Sequence, residues 1–223
     1  MFRIFDILFS GILIIFLSIL LLPIVLILSV TGEKKVFYLQ DRIGRNGKLF
    51  KLFKFATMLE DSPNMYNGTI TVRNDPRVLP FGKFLRKYKL NELPQLINIL
   101  IGDMSLIGPR PLVQSHFNYY GTDIQNKILL VRPGLSGVGS IIFRDEEKWI
   151  SKSKNKKKYY NEVIAPYKGK LEIWYIKNKS IINYFILIFL TMEVVINPKS
   201  KLIWKIIKDL PPPPNNLKKQ ILE

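Results

Sequence analysis

The chain has 223 residues, enough for one compact domain plus a membrane element, and 48% of them are hydrophobic. Its 34 Lys and Arg against 17 Asp and Glu leave a net charge of +17, which points to an anionic partner: a phosphorylated substrate, an anionic membrane surface or nucleic acid. The absence of cysteine excludes disulfides, iron–sulfur clusters and thiolate zinc sites, and a lone histidine, His116, excludes a His-rich metal centre.

The first element is apolar. Ile7 to Val30 carry no charge. As a helix this run reaches roughly 36 Å, longer than the ~30 Å hydrocarbon core of a bilayer. Pro23 lies inside it and removes one backbone donor, so a kinked or broken helix that leaves by the face it entered competes with a full span. Arg3 before the run and Lys34, Lys35 and Arg42 after it put basic residues on both flanks, and each flank prefers the cytoplasmic side.

A hairpin follows. Val36–Leu39 and Lys48–Phe55 read as strands, with Asn46-Gly47 as the turn. Asp61 to Asn74 is a polar loop, and Phe81–Lys89 has helical spacing. Leu90 to Gly102 is expected to form one amphipathic helix, with Leu90, Leu93, Leu96, Ile97, Leu100 and Ile101 on its apolar stripe. Asn91 is its N-cap, Pro94 falls in its first turn and Gly102 follows its end. Asp103–Pro111 and Val131–Gly139 read as Gly/Pro-rich loops, and Lys152–Lys158 as a solvated lysine run. Ile181–Leu190, interrupted by Asn183 and closed by Glu193, is too short to span and belongs in a core or along a membrane interface. The tail with Pro211–Pro214 is expected to be extended or disordered.

Phosphoryl transfer needs cationic clamps and a carboxylate in fixed geometry. In Gly108-Pro109-Arg110-Pro111 two prolines stiffen the backbone around one guanidinium; a solvated arginine in a proline-rich turn is the plainer alternative. Glu92, in the first turn of the expected helix, could hold a metal or act as base or nucleophile, or could simply complement the helix dipole. Asp145-Glu146-Glu147 reads as a metal site or a solvated face, Asp75-Pro76-Arg77 as a turn, and His116 as a local structural residue. The lysine run lacks interleaved aromatics, so anionic lipid headgroups suit it better than nucleic acid.

Taken together these motifs are far more specific. Gln40-Asp41-Arg42-Ile43-Gly44-Arg45-Asn46-Gly47, Lys54-Phe55, Asn74-Asp75-Pro76-Arg77 and Gly82–Lys87 precede Asn91-Glu92-Leu93-Pro94-Gln95-Leu96. Gly102-Asp103-Met104-Ser105-Leu106-Ile107-Gly108-Pro109-Arg110-Pro111 and Arg132-Pro133-Gly134 complete the order. Over roughly residues 2–195 the chain resembles the bacterial sugar transferases, the monotopic polyprenyl-phosphate phosphoglycosyl transferases. The resemblance implies an α+β fold: a mostly helical, membrane-associated domain with a β-hairpin and an N-terminal re-entrant membrane helix. It divides the chain into that helix (1–32), a catalytic domain with interfacial helices (33–200) and a tail (201–223). It implies transfer of a sugar-1-phosphate from a UDP-sugar to polyprenyl (undecaprenyl) phosphate with release of UMP, aided by Mg²⁺. The setting would be the bacterial inner (plasma) membrane, with the catalytic domain on the cytoplasmic face. Glu92 and Asn91 would be catalytic, Glu92 would hold the metal, and Arg110, Arg86, Lys54 and Arg132 would bind substrate phosphate. Asn91 departs from the family's Asp-Glu pair, in which the Asp attacks phosphorus. An inactive scaffold that still binds nucleotide sugar or lipid phosphate is therefore the alternative. Ala56 and Leu22 also depart, from an Arg and a Ser respectively.

Overall fold

The computed structural model describes residues 2–65, 68, 70–72 and 74–222. Tyr66, Asn67, Thr69 and Arg73 of the expected polar loop lie outside the described residues. The architecture is mixed and mostly helical, with two small two-stranded sheets.

Helix α1 (Phe2–Val30) runs through Pro23 without interruption, so the chain does not break there. A proline costs the helix one hydrogen bond, and the turns on either side retain theirs. On length and composition α1 can cross a membrane. Its two ends are built differently from its middle. Near the start, the buried Asp6 carboxylate accepts hydrogen bonds from Ser105 Oγ (2.9 Å), the Leu106 N–H (2.9 Å) and the Tyr184 hydroxyl (2.8 Å). Arg3 donates to the carbonyls of Ile99 and Leu100. Near the end, Ile24 and Leu28 pack with Phe55 and Leu85. No residue from Gly11 to Pro23 is buried, and Ile15, Phe16 and Ile19 are 75%, 76% and 81% exposed. An apolar surface of that extent requires a non-aqueous cover.

Strands β1 (Phe37–Ile43) and β2 (Leu49–Phe55) pair antiparallel from Phe37 opposite Phe55 to Ile43 opposite Leu49. β1 is longer than its aromatic start implied. The connection closes through the Gly44 N–H on the Lys48 carbonyl, and Asn46 and Gly47 both take positive φ, as the turn dipeptide predicts. Alternation aims Tyr38, Gln40 and Arg42 to one face of β1.

Helix α2 (Pro80–Lys87) is followed by a 3₁₀ turn, Leu90–Glu92, and then by α3 (Gln95–Ile101). The single helix expected from Leu90 is therefore split. Asn91 sits buried inside the 3₁₀ turn and caps nothing; Pro94 occupies the cap position of α3. Gly102 ends α3 with φ 103°, as expected. The stripe is also rotated. Leu96 and Ile99 are buried, whereas Ile97, Leu100 and Ile101 face outward, because Asn98 takes the inward position. Its amide donates to the Lys51 carbonyl and its oxygen accepts from the Phe53 N–H, which ties α3 to β2.

The two expected Gly/Pro loops contain strands. β3 (Ser105–Ile107) and β4 (Gly134–Ser136) pair in parallel. A Cβ on Gly134 would lie 2.1 Å from the Gly108 nitrogen, so only glycine permits this approach. Short helices α4 (Gln114–Phe117) and α5 (Thr122–Ile128) connect the two strands, and α6 (Val138–Ile142) and α7 (Glu146–Ser151) follow. α8 (Lys156–Tyr159) joins α9 (Ala165–Lys177) through a π-turn at Tyr160–Ile164. The lysines around α8 are largely exposed, as read.

α10 (Ile181–Ile196) continues past Glu193. Tyr184, Leu187, Leu190 and Val194 face the core, while Ile182, Phe189, Met192 and Ile196 are exposed. The tail is not disordered. α11 (Leu202–Ile206) and α12 (Asn215–Leu222) flank the extended prolines. Tyr167 donates to the Pro211 carbonyl (2.7 Å), Trp174 to Asp209 (3.0 Å), and Leu217 and Ile221 join the core. Burial of such side chains, each worth ~1.5–3 kcal/mol, holds the proline segment against α9.

Candidate active site

The inward face of the hairpin, the 3₁₀ turn and the Gly108–Pro111 segment meet around one ion pair. Arg110 Nη2 donates to Glu92 Oε1 at 2.9 Å. Their side chains are 32% and 15% exposed, so the pair is partly open to solvent. Arg42 stands beside it, with Nη1 on the Pro111 carbonyl (2.9 Å), Nη2 on Gln40 Oε1 (2.5 Å), and a buried Nε that has no protein partner. Arg86 closes another side, paired with Glu147 at 2.9 Å and donating to Met58 Sδ at 3.7 Å.

The electrostatics follow from four cations around one carboxylate. Burial alone would raise Glu92, but the charges of Arg110, Lys54 and Lys89 outweigh it and hold the carboxyl well below its usual range. Lys54 is lowered to about 7, first by burial and then by Arg42, with Arg110 and Arg86 adding to it. Arg42 is lowered to about 10, by burial and then by Arg110. Arg110 is raised by Glu92. Such an excess of unneutralised cations is a site for a multiply charged anion, which would restore the Lys54 ammonium on arrival.

Five of the six residues singled out from the sequence thus converge: Asn91, Glu92, Arg110, Lys54 and Arg86. Arg132 is placed elsewhere; its Nε donates to the Gly102 carbonyl at 2.8 Å and braces the turn after α3. The acidic trio is not a metal site: Glu146 pairs with Lys168 at 2.6 Å and Glu147 with Arg86. Among the described residues no three acidic or histidine side chains cluster as metal ligands. A divalent cation carried by a diphosphate needs fewer protein oxygens, one or two being common for Mg²⁺. Glu92 and the buried Asn91 Oδ1, which has no protein partner, fit that role.

Four participants escaped sequence reading. Arg42 reads in the sequence as a basic residue after the apolar run, within the motif that carries the hairpin turn. Arg77 is a buried hub, bound to Asp75 (2.7 Å) and to the carbonyls of Ser62, Met65, Gly68 and Ile70, so Asp75-Pro76-Arg77 organises the preceding loop rather than merely turning the chain. Glu172 on α9 accepts the Arg110 backbone N–H and is raised to about 7 by burial, partly offset by Lys168. Asp6 anchors α1; its only sequence signal was an acid bordering an apolar run. His116 packs against Tyr119 and Tyr160 and is lowered to about 4 by burial and Arg42, which suits a structural residue.

The site is a cationic cradle around one carboxylate, in a chain that also carries a long apolar helix with an exposed face. The pattern of the bacterial sugar transferases matches residues 1–198, and the chain belongs to that family. It is 32% identical to an undecaprenyl-phosphate galactose phosphotransferase of Salmonella typhimurium, over 87% of this chain and 40% of that protein. It is 32% identical to the exopolysaccharide production protein ExoY of Rhizobium meliloti, over 86% of this chain and 84% of that one. A UDP-glucose:undecaprenyl-phosphate glucose-1-phosphate transferase of Klebsiella pneumoniae is 39% identical over 62% of this chain and 30% of its own. The chain spans about 40% of the length of the first curated relatives it matches.

Proposed function

We propose that this chain transfers a sugar-1-phosphate from a UDP-sugar to a polyprenyl phosphate such as undecaprenyl phosphate, releasing UMP, as the first membrane step of a bacterial glycan. The observation that carries the reading is the Arg110–Glu92 pair within the Arg42–Lys54–Arg86 cluster. The relatives' names supply the substrate classes.

Arg110 and Lys54 bind the oxygens of the donor diphosphate, and Arg42 adds positive charge where negative charge develops on the departing UMP. Asn91 is an amide and cannot serve as a nucleophile toward phosphorus. Glu92 is held by cations and weakly basic, so it orients and neutralises rather than attacks. An oxygen of the lipid phosphate attacks the β-phosphorus, the bond to the oxygen bridging the two phosphates breaks, and UMP leaves with that electron pair. Mg²⁺ held by Glu92 and Asn91 Oδ1 would neutralise diphosphate charge. The relatives' names lend no support to an inactive scaffold.

The test is UMP release from a panel of UDP-sugars by the purified chain with and without undecaprenyl phosphate. Release that depends on the lipid is expected, and silence with every donor would refute the proposal.

The same reading makes residues 1–32 a re-entrant membrane helix, the body to residue 200 a catalytic domain on the cytoplasmic face of the inner membrane, and 201–223 a docked tail. Support comes from the two ends of α1, which both pack on one domain while the outward face of its middle, with Ile15, Phe16 and Ile19, stays exposed. Outward apolar residues on α10 and the lysines near α8 suit the interface and its anionic headgroups. Single cysteines at Arg3 and at Lys35 should both resist a membrane-impermeant thiol reagent in intact cells; labelling of either from outside would exclude the re-entrant arrangement.

A further inference from the structure

A cavity of about 480 Å³ lies not at the charged cluster but behind it, between the last turns of α1, the outer edge of β1 and the start of α2. Its volume lies within the ~300–1,000 Å³ common for small-molecule sites. Its walls are Leu28, Phe37, Leu39, Met58, Leu79 and Phe81. The polar groups around it are already engaged: Lys35 pairs with Glu60, the Glu60 N–H donates to Glu33 at 2.6 Å, and the Thr31 hydroxyl donates to the Ile27 carbonyl. Such a lining offers a sugar or a nucleobase few hydrogen bonds and a phosphate no unpaired cation among the described residues. It suits a hydrocarbon.

Two features decide which hydrocarbon. One wall is shared with the cationic site: Met58 Sδ accepts from Arg86, and Tyr38, also lining the cavity, lies within reach of the Arg42 charge. The other wall is the C-terminal end of the apolar helix, where Leu28 is buried and Val30 is 72% exposed. A ligand filling both compartments has an anionic head at Arg86 and an apolar chain that runs out along α1.

We infer that this cavity, walled by Leu39, Met58 and Leu79 beside Arg86, holds the first isoprene units of the polyprenyl phosphate acceptor. This rests on the transfer reading above and adds the acceptor's location. The acceptor phosphate then reaches the Arg110–Glu92 pair from the Arg86 side. The cavity also selects for an isoprenoid over a free phosphate, because the apolar chain supplies binding that the head alone lacks.

The experiment has two arms. In the first, a farnesyl phosphate carrying a diazirine on its terminal isoprene is photolysed with the full chain in nanodiscs, and labelled peptides are mapped by mass spectrometry. Labelling is expected on the segments carrying Leu39 and Leu79. It should drop by roughly tenfold in Ala56→Phe, which fills the cavity from its wall, and be competed away by unlabelled undecaprenyl phosphate but not by inorganic phosphate. In the second arm, Ala56→Phe and Leu39→Trp, the latter at a half-exposed strand position that tolerates a larger ring, should raise KM for undecaprenyl phosphate by roughly tenfold while leaving KM for the UDP-sugar unchanged. Labels confined to other segments, or an unchanged acceptor KM in both variants of an enzyme that still releases UMP, would overturn the lipid site and leave the transfer reading intact. Cavity labelling by a chain that releases no UMP would uphold the lipid site and refute the transfer reading.

Discussion

Glu92→Gln is expected to cut UMP release by at least ~10²–10³-fold, the range seen when one preorganised electrostatic group is removed from an active site. The substitution keeps the shape but leaves Arg110, Lys54 and Arg42 without their shared counter-charge. Removing the charge of one partner of this half-buried ion pair leaves the other uncompensated, so affinity for the donor diphosphate changes along with turnover. Asn91→Ala should only reduce the rate, since Glu92 would remain to hold Mg²⁺ and Asn91 caps no helix. Direct displacement adds a kinetic signature. UMP should appear only when the lipid acceptor is present, with sequential rather than ping-pong kinetics. A silent wild type combined with strong turnover in Asn91→Asp would show that an aspartate nucleophile is required here and would overturn the proposed mechanism.

Arg110→Lys should lower kcat/KM at least ~10-fold, equivalent to about 1.4 kcal/mol of transition-state stabilisation. Pro109 and Pro111 restrict the backbone on both sides, Gly108 is packed against Gly134, and the Arg110 N–H is held by Glu172. With the backbone so restrained, the shorter reach and single charged nitrogen of lysine cannot be recovered by shifting the chain. One arginine nitrogen is on Glu92, which leaves the rest of the fork for the proposed donor diphosphate; an ammonium cannot serve both with planar geometry. Turnover near normal in Arg110→Lys would place this arginine outside the reacting centre.

Local signals were read correctly where the physics is local. The Asn46-Gly47 turn follows from positive φ, the Gly102 stop from the same freedom, and the length of α1 from an uncharged run. Glu92 and Arg110 stood out because a guanidinium stiffened by two prolines and an acid in the first turn of an expected helix suit phosphate chemistry, and because the resemblance assigns both a role. Other features depend on partners remote in the chain. Asn98 turned α3 because β2 presents an unpaired carbonyl and N–H to it, which no periodicity reveals. The 3₁₀ turn displaced Asn91 from its expected cap because Lys89 takes a left-handed conformation and Pro94 begins the following helix. β3 and β4 are too short for a pattern and exist only because two glycines let backbones separated by a whole connection touch. Asp6 became a buried anchor through Tyr184, almost the whole chain away. Arg132 was drawn from the phosphate site to a nearby carbonyl, and the proline tail was ordered by Tyr167 and Trp174. Residue types and short spacings therefore specify which chemistry is available, whereas the pairing of a charge with phosphate, carbonyl or counter-ion is settled by distances of a few ångströms that only the packed chain defines.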